Sequence, residues 1–390
     1  MKKSSLALAV SSALFSVSAS AIEISDYIEV ETTYEEAYVT AATSTQSGNQ
    51  DQTSYDVSAF VDYEKNYSSR SRNFNIIFDG NYQASRGGGS NDKKVDSYAV
   101  DGSATLDTYL NGNPNVFWYT GGDVSYQDKY DEVYAEVGAG MGYGRVTVAT
   151  PLAYAIRIVD ELGQHNIVSG NVSDNAYLAL AQVVNRRDEF QSKYGAEEYE
   201  AAFISALEQV MKETGIAPNG LSAAGVSHLR RVLFEENINI RKYGWLVRAG
   251  VGVVANDYNG ESGDPSLGLE FEYAKPIGLA GQFINTAGYT AIWNDSDTTN
   301  QKITNRMSYT HEMSDRVDWV NVWTLSYDIA DNSSTSDDTL SNTLSSAFRY
   351  YLTNRLNFEA RVDFSHLEDD IDSNGNDDVD VSTFIGVRYR

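Results

Sequence analysis

The run DIDSNGNDDVDV, which begins at Asp370, is rich in the oxygen ligands that calcium prefers in proteins. Asp372, Asn374 and Gly375 stand at its third, fifth and sixth positions, as in the calcium loop of an EF-hand. The twelfth position, where that loop needs a bidentate glutamate, is Val381. Because the run also joins two predicted strands instead of two helices, a solvated acidic loop is favoured, and this segment is at most a weak calcium site.

Histidine is the side chain that most often performs general acid–base chemistry near neutral pH, and the chain has four of them. His366 follows Ser365, but neighbouring residues of a strand point to opposite faces, which places the histidine outward and the serine inward. His311 falls in a predicted turn, and His165 and His228 fall in a helical segment. We therefore expect no enzyme, no catalytic residue, no firm metal site and no cofactor.

Long strands must position these side chains, because apolar and polar residues alternate along about fourteen segments. In the second segment, for example, Val57, Ala59 and Val61 oppose Asp56 and Asp62. The predicted strands are 27–42, 53–64, 70–84, 95–110, 116–127, 133–148, 243–256, 266–274, 280–293, 301–310, 316–330, 340–352, 356–367 and 379–390. Such strands, at roughly ten to fifteen residues, exceed the usual five or six. The even number and the ending inside a strand favour a closed membrane barrel over a soluble sandwich.

The first 21 residues are predicted to be a secretory signal peptide. Lys2 and Lys3 precede an apolar stretch over 6–17, and small residues end the segment at Ala21, so the mature chain would begin at Ile22. No other apolar run is long enough for a membrane helix, whereas a barrel wall needs only alternate apolar residues. The net charge of -26 opposes nucleic acid as a partner, and the absence of cysteine excludes disulfides and thiolate metal sites.

With these features the sequence resembles bacterial outer-membrane β-barrel proteins over the whole mature chain apart from one insert. The final strand, VSTFIGVRYR, would close on the first, YIEVETTYEEAYV. The resemblance implies that both ends lie in the periplasm, that longer loops follow odd strands, and that the assembly machinery reads the C-terminal strand. In that family the chain commonly ends in an aromatic residue, whereas here Tyr389 is followed by Arg390.

Residues 149–242 lose the period of two and acquire helical spacing. The segment TPLAYAIRIVDELG places Thr150 as N-cap and Pro151 at the first helical position, and AEEYEAAFISALEQVMKETG forms a second helix that ends at Gly215. Two more helices are predicted near 174–191 and 222–236. The chain is thus divided into 1–21 (signal), 22–148 (strands 1–6), 149–242 (helical insert) and 243–390 (strands 7–14). The insert either plugs the lumen or forms a docking module below it.

Glycines share the inward face of the two strands that flank the insert. They are Gly138, Gly140, Gly142 and Gly144 on the sixth strand, and Gly250 and Gly252 on the seventh. Two adjacent strands without inward side chains leave a groove. We expect a helix of the insert to pack there; the alternative is that glycine only permits barrel curvature.

The inward charges divide into two walls. The acidic wall on strands one to six comprises Glu29, Glu31, Glu35, Asp56, Asp62, Asp79, Asp101, Asp107, Asp123 and Glu136. The basic wall on strands ten to fourteen comprises Lys302, Arg306, Arg349, Arg361, Arg388 and Arg390. Opposed walls of this kind resemble those of general porins. The alternative is local pairing, because strand fourteen abuts strand one and would bring Arg388 and Arg390 to Glu29 and Glu31.

We therefore expect a narrow porin-like channel in the outer membrane for small or cationic solutes, gated or plugged by the helical insert. The alternative is a non-conducting barrel whose insert docks a periplasmic partner in cell-envelope assembly or surface-polysaccharide export. The expected partners are outer-membrane lipid, the barrel-assembly machinery through the C-terminal strand, and a periplasmic protein through residues 149–242.

Overall fold

The computed structural model describes residues 22–27, 31–168, 170–294, 299–330, 338–353, 356–369 and 379–389. Fourteen antiparallel strands in these ranges form one closed barrel, in which each strand pairs with its neighbours in sequence and the last pairs with the first. The strands are β1 Glu31–Gln46, β2 Ser54–Ser69, β3 Arg72–Arg86, β4 Val95–Leu110, β5 Asn113–Gln127, β6 Tyr134–Val148, β7 Lys242–Asn256, β8 Asp264–Ile277, β9 Gly281–Trp293, β10 Thr299–Ser314, β11 Val317–Ala330, β12 Thr339–Tyr351, β13 Leu356–Asp369 and β14 Val379–Tyr389. The predicted fold class is confirmed.

The barrel closes where β14 meets β1. Thr40 pairs with Arg388, and the flanking pairs are Val39 with Tyr389 and Ala41 with Val387. The predicted closure of the last strand on the first is therefore confirmed. Since each of the strands β2 to β13 also pairs with two neighbours, the described wall has no open sheet edge.

The outer face of the wall is largely apolar. Large side chains that point away from the lumen are exposed, among them Val61, Val251 and Ile385, the last at 68%. Aromatic residues are grouped on the same face, where Trp319 stacks on Phe348. An exposed apolar band with aromatic side chains is the surface that a transmembrane barrel presents to lipid.

The two ends of the barrel differ in their connections. We call the end where β6 and β7 join the helices the insert end, and the opposite end the far end. Apart from the helical insert, the connections at the insert end are short, such as the one from Ser69 to Arg72, whereas those at the far end are longer, such as the one from Arg86 to Val95. The weak calcium site predicted at Asp370, Asp372 and Asn374 falls in a far-end connection that lies outside the described residues.

Four helices occupy the predicted insert. They are α1 Thr150–Gln164, α2 Asp174–Val184, α3 Arg187–Glu213 and α4 Ala223–Phe234. The N-cap of α1 is Ala149, so the predicted N-cap Thr150 is wrong. The hydroxyl of Thr150 instead accepts a hydrogen bond of 3.0 Å from the backbone N–H of Arg241, which joins the two ends of the insert. No described helix is both long and apolar enough to cross a membrane.

The main apolar core of the molecule lies in the insert and includes the start of the described chain. Ile22, Ile24 and Tyr27 are buried against the helices, together with α1 residues such as Leu152 and Ile156. The hydroxyl of Tyr243 in β7 donates to the carbonyl oxygen of Tyr27 at 2.6 Å. The segment that leads into β1 is thereby fixed to the insert.

We expect Ile24→Asp to loosen the insert, because it places a charge where an apolar side chain is 3% exposed. The free energy of unfolding of the helices should fall by about 2–4 kcal/mol. Circular dichroism at the helical minimum, recorded during thermal unfolding, measures this. Ser25→Ala, at an exposed position of the same turn, is the matched control; equal melting of both variants would contradict the role of the segment.

Candidate functional site

Most of the predicted acidic residues lie on the lumen face. The pairing places Asp62 opposite Asp79, Asp79 opposite Asp101, and Asp123 opposite Glu136. The same alternation puts Asp56 and Asp107 on this face. A band of carboxylates therefore crosses β2 to β6.

Two members of the predicted acidic wall are wrong. Glu31 and Glu35 lie on the outer face of β1, where Glu35 pairs with Lys65 at 3.0 Å and Tyr67 donates to Glu31 at 2.8 Å. Glu36, opposite Glu64, faces the lumen instead. The error arises because β1 is polar on both faces, so its sequence does not distinguish them, whereas its register with β2 does. Glu29 lies outside the described residues.

The predicted basic residues lie on the lumen face but are largely paired. Arg349 contacts Glu359 at 2.8 Å and Lys302 contacts Asp328 at 3.1 Å. Arg361 contacts Asp363 at 2.9 Å and Glu359 at 3.3 Å, and Arg388 contacts Asp62 at 3.2 Å. The expected partner of Arg388 on the first strand, Glu31, is thus wrong; Arg390 lies outside the described residues. Local pairing neutralises much of the basic wall.

Sequence reasoning missed a lumen-facing cation, Arg248. Arg248 on β7 contacts both carboxylate oxygens of Asp107, at 3.0 and 2.7 Å, and reaches Glu270 at 3.0 Å. Lys242, at the start of the same strand, contacts Glu64 at 3.2 Å. The sequence could have indicated both cations, because Arg248 and Lys242 fall on the same face of β7 as Gly250, which was assigned to the lumen. The lumen therefore contains a charge-assisted bidentate pair between strands β4 and β7.

The expected helix in the glycine groove is wrong. The groove exists, since Gly138, Gly140, Gly142 and Gly144 of β6 face the lumen beside Gly250 and Gly252 of β7. It is filled by Phe117 and Tyr119 of β5: a Cβ atom added at Gly140 would lie 2.7 Å from the ring of Tyr119, and one added at Gly142 would collide with Phe117. Because side chains of the neighbouring strand occupy the groove, no space remains there for a helix.

These rings form a packed layer on the lumen face of β4 to β7 near the insert end. Tyr109, Phe117, Tyr119, Val146 and Leu246 pack together, and Phe117 is fully buried. The Arg248–Asp107 pair lies beside them, with the Asp107 residue only 1% exposed. We call these seven residues the lumen floor. Packed aromatic rings and a buried ion pair leave little room for water at this level.

Beside the floor runs a cavity of about 1470 Å³. Its lining extends from Ser68, Val148 and Lys242 near the insert end to Lys302 and Asp328 toward the far end. Asp79, Asp101, Asp123 and Glu136 line it, and among the described residues none of these carboxylates lies within 4 Å of a basic side chain. Neutral donors contact two of them: Ser125 donates to Asp101 at 2.5 Å and Tyr134 to Glu136 at 2.7 Å. Tyrosines 119, 130, 134, 258 and 289 also line the cavity, which we call the vestibule.

Below the floor, the insert is fastened to the turns of the barrel. Arg157 of α1 contacts Glu312 at 2.8 Å and Asp315 at 3.2 Å, both near the β10–β11 turn. The fully buried Arg241 contacts Glu312 at 2.6 Å and donates to the carbonyl of Leu279 in the β8–β9 turn at 3.0 Å. These contacts attach the insert to the β8–β9 and β10–β11 turns. The N-terminal segment, which precedes β1, is a further point of attachment.

The four histidines lie away from the vestibule. His366 faces outward from β13, as predicted by parity. His311 lies on the outer face of β10 and not in the predicted turn, because that strand extends to Ser314. His165 follows the end of α1, and His228 lies on α4.

No protein-family model matches the chain, and no curated protein sequence matches it. Similar solved structures include an outer-membrane channel from Pseudomonas putida F1, with 8% identity over 94% of this chain and 98% of that chain, at a TM-score of 0.33. Omp33 of Acinetobacter baumannii shows 7% identity over 93% and 99% at 0.32. OmpF of Salmonella typhi, in complex with daunomycin, shows 10% identity over 92% and 97% at 0.33. Scores this low carry no argument about function.

The barrel itself defines the class. A closed antiparallel wall satisfies its own backbone groups, and its exposed face is apolar with grouped aromatic side chains. The protein is a β-barrel of the bacterial outer membrane, as the sequence predicted.

Gly140→Ala should destabilise the barrel by about 1–3 kcal/mol, because the added methyl group meets the backbone of β7 and the ring of Tyr119. Gly268→Ala is the matched control, since it lies on the lumen face of β8 with nothing within 4 Å of the added carbon. Urea unfolding of both variants in lipid vesicles, followed by tryptophan fluorescence, measures the difference. Equal unfolding midpoints of the two variants would contradict the close packing of Tyr119 and β7 against Gly140.

Glu236, between α4 and β7, should make the stability of the insert depend on pH. Burial raises the pKa of its carboxyl, with further repulsion from Asp315 and Glu161, while Arg157 and Arg231 act in the opposite direction. A carboxyl group whose pKa is higher in the folded than in the unfolded state contributes most to stability at acid pH. That contribution is lost as the pH rises through the pKa of the folded state. Glu236→Gln should therefore make the helices more stable than wild type at about pH 8 and leave them unchanged below about pH 4.

The measurement is chemical unfolding of the helices at both pH values, with Glu235→Gln, at an exposed neighbouring carboxylate, as the control. A stabilisation of Glu236→Gln that is equal at both pH values would show that the carboxyl does not titrate with folding.

Proposed function

We propose that the protein is a gated outer-membrane channel. Its vestibule opens outward and admits small cationic solutes, and the lumen floor and the insert close the periplasmic side. The orientation is the one that the family resemblance implies, with the insert end in the periplasm.

The contrast between the two ends of the lumen carries the proposal. Toward the insert end, lumen-facing polar residues such as Asp107, Asp318 and Glu359 are at most 2% exposed. Toward the far end, the side chains of Lys302 and Asp328 are 53% and 48% exposed. Water therefore has access to the lumen from the far end, while packed side chains obstruct the insert end.

The chemistry of the vestibule supports a cationic solute. The described residues that line it include eight carboxylates and five basic side chains, among them Arg306, and this acidic excess creates a negative potential in a confined space. Aromatic faces in the same cavity, with Tyr130 stacked on Tyr258 at 4.2 Å, offer cation–π contacts to ammonium groups. Small inorganic cations and amines are the solutes that both features attract.

The ion pairs between the insert and the rim support a gate. Glu312 is nearly buried and accepts from both Arg157 of α1 and Arg241 of the insert-to-barrel connection. A buried carboxylate that holds two guanidinium groups couples the position of α1 to the β10–β11 turn. Movement of the insert must break these contacts together.

The second candidate function is a non-conducting barrel that docks a periplasmic partner through residues 149–242. The buried polar side chains at the insert end, such as Asp107, Asp318 and Glu359, favour it as well, because they leave less open space there than at the far end. Conductance distinguishes the two functions. Recognition of the C-terminal strand by the assembly machinery applies to both and is likewise a proposal.

The test is planar-bilayer conductance of the refolded mature protein and of a variant in which a short Gly/Ser turn replaces residues 150–241. We expect low conductance from wild type and a clear rise in the variant, with a reversal potential in a salt gradient that indicates cation preference. Glu312→Gln should raise the open fraction by loosening the same interface, and Glu213→Gln, on the surface of α3, is its control.

Asp101→Asn combined with Asp123→Asn should reduce the cation preference at least several-fold, because it removes two vestibule charges. Asp174→Asn combined with Asp188→Asn changes the net charge equally, but in the insert, and should have no effect. Anion preference, or silence from the folded deletion variant, would contradict the proposed channel; silence would favour docking.

A further inference from the structure

A group of metal-ligating side chains lies inside the insert, outside the vestibule and the lumen floor. Glu161 and His165 belong to the end of α1, and His228 comes from α4. The Nδ1 atom of His228 is 2.6 Å from Oε1 of Glu161, and Nε2 of His165 is 3.2 Å from the same oxygen. One ligand atom from each residue lies within 4.8 Å of the others.

We propose that these three residues bind a zinc ion. Two imidazoles and one carboxylate are ligands that Zn²⁺ accepts, and three protein ligands with an open fourth position form a common coordination. At metal–ligand distances of about 2.0–2.1 Å, tetrahedral ligand atoms lie about 3.3 Å apart. The separation between Glu161 and His165 already has this value. The shorter contact to His228 is the hydrogen bond of the metal-free form, and it lengthens when zinc replaces the shared proton.

The surroundings hold the carboxylate in a ligating orientation. Arg231 of α4 contacts Oε2 of Glu161 at 2.7 Å, which leaves Oε1 directed at both histidines. The Glu161 side chain is only 7% exposed. The rings of His165 and His228 stack with centroids 3.8 Å apart, so their orientations are coupled. In protein metal sites, the side chains that bind the metal are regularly held in orientation by hydrogen bonds from neighbouring residues.

The site opens to solvent on one side. The side chain of His165 is 46% exposed and that of His228 is 25% exposed, so an ion has a path to the ligands and water can take the fourth position. Zinc would connect α1 to α4, two helices that are separated by more than fifty residues of sequence. Because the unfolded insert lacks this arrangement, zinc should stabilise the folded insert by mass action.

The test is a calorimetric zinc titration of the refolded mature protein without a polyhistidine tag. We expect one ion per chain, and at least tenfold weaker binding by His165→Ala and by His228→Ala. His311→Ala and His366→Ala, on the outer face of the barrel, are the matched controls and should bind as wild type does. Cobalt in place of zinc should give the visible absorption of a tetrahedral site, which is lost in the first two variants.

Thermal unfolding of the helices provides a second measurement that does not depend on conductance. Zinc should raise the melting temperature of wild type and of both controls, and the shift should vanish in His165→Ala. This variant changes an exposed position after the end of α1, so its folding should be preserved.

Zinc binding that is equal in wild type and His165→Ala would overturn the site and assign the ion to the acidic loops. Failure of folded wild type to bind zinc above the level of His228→Ala would likewise overturn it, and the cluster would then be a hydrogen-bonded link between helices. Neither result bears on the channel, because the vestibule and its carboxylates are untouched by these variants.

Discussion

Closure of the barrel by backbone hydrogen bonds is the constraint on which the rest of this structure depends. In lipid, each N–H and C=O group of the wall must be satisfied by another strand, so the sheet must close on itself. The pairing of β14 with β1 meets that requirement. Once the wall is closed, every strand residue points either to lipid or to the lumen, and the charge of the lumen follows from register.

Register also explains why the lumen is obstructed at one end and open at the other. The glycines of β6 and β7 align across the two strands and let Phe117 and Tyr119 lie flat against the backbone. The same alignment brings Arg248 to Asp107, where a bidentate contact balances two buried charges. Toward the far end the lumen-facing side chains are more exposed, as Lys302 and Asp328 are at 53% and 48%.

The insert depends on the barrel for part of its core and for its attachment. Its core is completed by Ile22, Ile24 and Tyr27, which are brought to it by the strand that they precede. Its contacts with the β8–β9 and β10–β11 turns go through Arg157 and Arg241, which both pair with Glu312.

The sequence by itself determined the strand number, the helical insert, and the lumen parity of strands β2 to β6, because the period of two is a local property of each strand. It failed at β1, where Glu31 and Glu35 have the opposite orientation, since a strand that is polar on both faces shows no usable period. Only the tertiary structure decided what fills the glycine groove, which carboxylate Arg248 meets, and that Glu161, His165 and His228 converge. Those contacts join residues from different strands or helices, and their distances depend on register and helix packing, which local periodicity does not encode.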